Sequence, residues 1–150
     1  MRYLAALLIM LALPAQANEY RVEFLRAYDG DTPTVIVNGR REAVRIANID
    51  TPEIKGKCPA ENELARRARD FTITWGKRSG ELILTTGSRE REKYGRLLGN
   101  LRNSDGEDLG EKLIEAGLAV RWEGHRHRGW CNDQMGRKAV VCGRFVPWRA

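Results

Sequence analysis

The chain of 150 residues predicts an α+β domain that is mainly β: a closed five-stranded Greek-key barrel with two to three helices. Three observations carry that reading. Alternating apolar and polar residues recur in three short segments within residues 19–49. Asn38-Gly39, between the second and third of them, is a strong two-residue hairpin signal. A segment with helical periodicity opens at Pro59 and separates the three from two further alternating segments.

The elements follow in order. Residues 19–28 form a first strand through Val22, Phe24 and Tyr28, closed by the acidic turn Asp29-Gly30-Asp31. Residues 34–37 form a second strand behind Pro33, where a missing N–H is tolerated. Residues 41–49 form a third, with Arg45 projecting from one face. It stops at Asp50-Thr51-Pro52-Glu53, where proline fixes φ and cannot donate to a ladder. Ala60, Leu64, Ala65, Ala68, Phe71 and Trp75 then make one apolar helical stripe, with Arg66, Arg67 and Arg69 largely off it on a solvated face, and Gly80 breaks the segment. Residues 81–86 form a fourth strand, residues 88–93 a charged turn and residues 94–102 a fifth strand. Leu109, Leu113 and Ala116 mark a short second helix that ends at Gly117. Three strands, a helix, two strands and a helix is the order of an OB-type barrel.

Residues 1–17 read as a signal peptide: Arg2, a ten-residue apolar run over residues 4–13, and the small-x-small site Ala15-Gln16-Ala17. The run is too short to span a bilayer. The expected product is therefore an exported protein, periplasmic or secreted, with one domain over residues 18–125 and a basic, aromatic tail over residues 126–150. The formal charge of +6 falls to +5 without Arg2, and such a surface favours a polyanion. Three cysteines permit one internal pair and leave one thiol over. Cys58–Cys131 is the favoured pair in an exported chain, with Cys131–Cys142 left open. Neither a membrane nor a protein partner is implied, and the chain reads as a monomer.

Charged residues crowd the strand ends. Asp31 leaves the first turn, Arg45, Asp50 and Glu53 surround the exit of the third strand, and Arg96 follows in Lys93-Tyr94-Gly95-Arg96. Carboxylates and guanidiniums gathered at strand ends are costly to desolvate, so they point to a metal or phosphate site. Hard oxygen ligands suit Ca²⁺ or Mg²⁺. A carboxylate left off the metal can take a proton from water. Arginines can grip a phosphate through paired hydrogen bonds.

D-G-D-T, V-R-I-x-x-I-D-T-P-E, K-Y-G-R and Leu113-Ile114-x-x-Gly117-Leu118-Ala119 occur in that order, and together they resemble the staphylococcal (thermonuclease) nuclease family over residues 22–122. The resemblance implies an OB-fold, Ca²⁺-dependent nuclease that cleaves DNA and RNA with little sequence preference and leaves 3′-phosphates. It also implies roles. Asp31 and Asp50 look like the calcium carboxylates, with the Thr51 carbonyl as a further ligand. Glu53 resembles the general base, and Arg45 and Arg96 the phosphate clamps. Lys93 and Tyr94 resemble the pair that holds a terminal phosphate. Asp29 reads as a turn residue beside the ligands. The chain departs from the best-known member in its short loop after Glu53, which carries Cys58. It departs again in Trp122 and His125, where family members often have base-stacking aromatics, and in residues 132–150.

Two other readings compete. A non-catalytic oligonucleotide-binding barrel fits the fold, although such modules typically lose one or more of these charged residues. A zinc site could use His125-x-His127-x₃-Cys131, but no Cys-x-x-Cys accompanies it.

Overall fold

Asn38 and Gly39 take φ of 49° and 76°, the left-handed pair that a tight hairpin needs. They join β2 (Pro33–Val37) to β3 (Arg40–Ile46). β2 also pairs antiparallel with β1 (Asn18–Ala27), which pairs on its other side with β5 (Leu82–Arg91). β6 (Leu97–Asn103) closes the circuit, antiparallel to β5 and parallel to β3. The result is a closed barrel in the order β1-β2-β3-β6-β5. This computed structural model describes residues 17–122, 124 and 129–131. The expected leader apart from Ala17, the expected tail apart from residues 129–131, and with them His125, His127 and Cys142, lie outside the described residues.

Inward-facing residues of every barrel strand make the core, among them Val22, Val35, Val44, Ile46, Leu82, Leu84, Leu97 and Leu101. Helix α1 (Pro59–Arg78) packs on β1, where Gly76 lies so close to Phe24 that a Cβ would fall 2.3 Å from its ring. Ala65, Ala68 and Trp75 are buried as the apolar stripe requires, with Leu64 and Phe71 partly so. Ala60, placed on that stripe by sequence, is exposed instead, and Glu61 beside it is buried. Helix α2 (Leu109–Glu115) is capped by Asp108, which accepts from Glu111 N–H at 3.2 Å. It ends at Gly117, φ 69°. These two are the helices among the described residues.

Three boundaries differ from the sequence reading. The third strand does not continue to residue 49: Asn48 turns left-handed at φ 59°, and Ile49–Asp50 forms a separate strand, β4, outside the barrel. β4 pairs with β7 (Val120–Arg121), a strand too short for any pattern to announce. β5 runs on through the expected charged turn to Arg91, with a register shift after Thr86. Tyr94, Gly95 and Arg96 precede β6 in a turn closed by Gly95 N–H to Glu92 O at 2.9 Å, instead of opening the fifth strand. Among the described residues, no helix is long and apolar enough to cross a membrane.

Candidate functional site

The turn after β1 is pinned from two sides. Gly30 sits against Ala68 of α1, where a Cβ would approach to 2.8 Å, and its carbonyl accepts from the Thr72 hydroxyl at 2.7 Å. Ile46 N–H donates to Asp31 O at 2.9 Å. The flanking Asp29 and Asp31 are thereby buried, at 8% and 6% exposure, where an unpaired carboxylate is costly.

Arg45 reaches the same place from β3. Its Nη1 lies 2.7 Å from Asp31 Oδ2 and donates to Ile46 O at 3.0 Å, while Nη2 donates to Ile49 O at 3.0 Å. The two carbonyl bonds lock the guanidinium plane onto β3 and β4 and use two of its five N–H groups, with Asp31 held against it as an ion pair. The Thr32 hydroxyl donates to Asp31 Oδ1 at 3.1 Å and accepts from Arg96 Nη1 at 3.2 Å. One buried carboxylate is thus joined to two guanidiniums, to Arg45 directly and to Arg96 through Thr32. Glu92 orients Arg96 from the other side, accepting from its Nε at 3.2 Å and its backbone N–H at 3.1 Å. Burial alone would raise Glu92, but the hydrogen bonds from Arg96 and from the Tyr94 and Arg96 backbone outweigh it and hold Glu92 low.

Two of the carboxylates gathered here are raised. Burial pushes Asp31 up to about 7, against the pull of Arg45, with the Asp29 charge adding to the rise and hydrogen bonds from Thr51 and Thr32 opposing it. Glu53 is also raised, first by burial and then by the charges of Asp29 and Asp50. Asp29 Oδ1 is buried with no hydrogen-bond partner. An orphaned oxygen beside two raised carboxylates fits a hard divalent cation better than it fits a closed structural network. The fit is one of charge, not of a finished cage. Among the described residues, the group of ligand atoms within 4.8 Å of one another is Cys58, Glu61 and Cys131, and its two sulfurs form a disulfide.

The other expected residues fall around this centre. Thr51 is buried. Lys93 lies over the Tyr94 ring at 4.7 Å, with the Arg96 guanidinium 5.8 Å from the same centroid, and Tyr94 is 72% exposed. Trp122 is exposed, its N–H bonded to Asn48 O at 2.9 Å. Cys58 and Cys131 are joined, Cα–Cα 5.9 Å, so Cys131 is not a free thiolate for zinc.

Three participants lay hidden in the sequence: Thr32 as the bridge between Arg96 and Asp31, Asp29 as a buried acid, and Glu61, which accepts from the Lys57 N–H at 2.7 Å. Asp29-Gly30-Asp31-Thr32 was the available signal for the first two. Its pairing with Arg96, 64 residues on, was not.

Comparison with known proteins meets this geometry from another direction. Endonuclease YncB of Bacillus subtilis (strain 168) is 40% identical over 98 residues, which are 63% of this chain and 44% of the relative. An uncharacterized endonuclease of Escherichia coli O157:H7 is 27% identical over 124 residues, 81% of this chain and 74% of the relative. The thermonuclease of Staphylococcus hyicus is 33% identical over 109 residues, 70% and 61%. The chain thus spans less than half the length of the Bacillus relative. The family model described as staphylococcal nuclease homologue matches residues 43–138, well over half the chain and including Arg45, Asp50, Glu53 and Arg96. With the barrel, the clustered acids and both arginines in place, the chain belongs to the staphylococcal nuclease family.

Proposed function

We propose that this protein is an exported, periplasmic or secreted, calcium-dependent phosphodiesterase. It hydrolyses DNA and RNA with little sequence preference, acts as a monomer, and leaves 3′-phosphates. The observation that carries the reading is the chain Arg45–Asp31–Thr32–Arg96, two guanidiniums fixed about one buried aspartate. The nuclease names of the relatives support the reaction class.

Asp31 and Asp50, with the Thr51 carbonyl, would hold the calcium ion, which offsets phosphate charge and polarises the scissile group. Glu53, an exposed residue raised by partial desolvation and by the charges of Asp29 and Asp50, accepts a proton from the attacking water. Arg45 offers the N–H groups not used by Ile46 and Ile49, and Arg96 those not used by Glu92 and Thr32, to the non-bridging oxygens as charge grows on the phosphorane. Lys93 and Tyr94 are exposed beside Arg96, suited to a neighbouring phosphate. Contacts that are mostly to phosphate carry little sequence information.

The test is hydrolysis of single-stranded DNA by residues 18–150 with Ca²⁺, with Mg²⁺ and with chelator, beside an Asp50→Ala control. Calcium-dependent cleavage lost in the control is the expected result. Tight binding without cleavage under either metal would make the protein a binding barrel instead.

A further inference from the structure

Glu61 occupies the third position of α1, where an acid commonly reaches back to the N–H of the capping residue. Here it reaches further. Its Oε2 accepts from Lys57 N–H at 2.7 Å, and its Oε1 lies 3.5 Å from Glu53 N–H, a long bond. The capping residue, Cys58, contributes no side-chain bond to the helix and is tied to Cys131 instead. Glu61 is 6% exposed, and Gly56 folds over its carboxylate so tightly that a Cβ there would sit 2.4 Å from Glu61 Cδ. A helix acid buried beneath a loop is a costly arrangement unless its oxygens serve that loop. Both of them do.

We propose that Glu61 is a positioning residue, whose two carboxylate oxygens hang residues 53–57 from the first turn of α1 and so hold the Glu53 side chain at the reaction centre. Glu61 acts through the backbone of Glu53 and Lys57. Gly56 belongs to the same device, because only a residue without a side chain lets the loop close over the carboxylate. The proposal rests on the nuclease reading, and it accounts for how a loop without secondary structure can present a general base with fixed geometry. A base misplaced by about 1 Å can cost about 10²-fold in rate.

The test compares wild type with Glu61→Ala, Glu61→Gln and Gly56→Ala. Turnover and KM on single-stranded DNA are read beside hydrogen exchange at the Glu53 and Lys57 amides. Glu61→Ala should lower kcat by about 10- to 10²-fold with KM little changed, and should speed exchange at both amides. Glu61→Gln, which keeps one acceptor oxygen, should fall between. Gly56→Ala pushes the carboxylate aside without deleting it and should reproduce the loss, yet add little in the Glu61→Ala background. Folded Glu61 and Gly56 variants with wild-type kcat would overturn the proposal and leave the nuclease reading standing. So would amides that exchange at the wild-type rate, a readout independent of turnover. A wild-type protein that cleaves nothing would instead overturn the nuclease reading, and this proposal with it.

Discussion

At the hairpin end of β2, acids have their own partners. Glu42 receives two bonds from Arg91, both at 3.0 Å, and Glu90 accepts from the Tyr20 hydroxyl. The Arg91 hydrogen bonds hold Glu42 below the usual carboxylate range. At the other end of the same strand, Asp29, Asp31, Asp50 and Glu53 crowd one region, Arg45 is shared, and Asp31 and Glu53 are raised. The first arrangement completes a surface; the second raises two carboxylates and leaves a buried Asp29 oxygen without a hydrogen bond. Raised carboxylates and an unbonded buried oxygen at a rigid strand end are what a cation can satisfy, and so they mark the working end of the barrel.

The contrast breaks most sharply on turnover. Glu53→Gln should lower kcat by roughly 10²–10⁴ while nucleic-acid binding persists, whereas Arg91→Ala at the hairpin end should leave kcat within about twofold. Steady-state kinetics paired with a binding titration decide it. A comparable loss in Arg91→Ala would mean that the two ends are not functionally distinct. Arg45→Lys and Arg96→Lys come next, each at about 10²-fold, because a point charge cannot reproduce the planar fork that engages oxygens on two sides. Near-wild-type turnover in both lysine variants would show that only their charge matters.

The two ends also differ in how much could be read beforehand, and for a physical reason. Asn38-Gly39 announces its own turn, since few residues accept two left-handed conformations in succession. The barrel strands are legible for the same local reason: alternation follows from burying one face. Asp31, Asp50, Glu53 and Arg96 stand out in the sequence only because their short motifs occur together and in order, since each alone also reads as an ordinary turn or surface residue. What stayed hidden depends on contacts between distant segments. The extension of β5 to Arg91 follows from its pairing with Leu97 of β6 and a side-chain tie to Glu42, 49 residues away, rather than from any apolar period. Asn48 breaks β3 from β4 by adopting φ 59° in a run that otherwise alternates well. Asp29 and Glu61 look like surface acids and are buried only because α1 folds across the turn and the loop.

Cation linkage tests the working end directly. With calcium at about 100 times its Kd, the folded chain should gain about 2.7 kcal/mol, read as a rise in Tm that chelator reverses. Asp50→Ala should abolish the gain and Glu42→Gln should leave it intact. A cation effect that survives Asp50→Ala would move the metal elsewhere.

The smallest effect is the most discriminating, because the two ends predict opposite pH slopes. Asp31 ordinarily titrates near 3.8 and is pushed up to about 7 in the fold. The unfolded chain therefore loses that proton first, and the cation-free protein loses stability as pH rises from about 4 to about 7. Glu42 is lowered from its usual 4.5, so its contribution is present above that value and fades as pH falls below it. Asp31→Asn should flatten the upper slope in chelator without touching the lower one. Glu42→Gln should shrink only the lower one, leaving the part that Glu92 contributes. Melting curves from pH 3 to 8 separate the two. A single slope that responds to both substitutions would mean that the ends titrate as one network, and the division between the hairpin end and the working end of the barrel would fail.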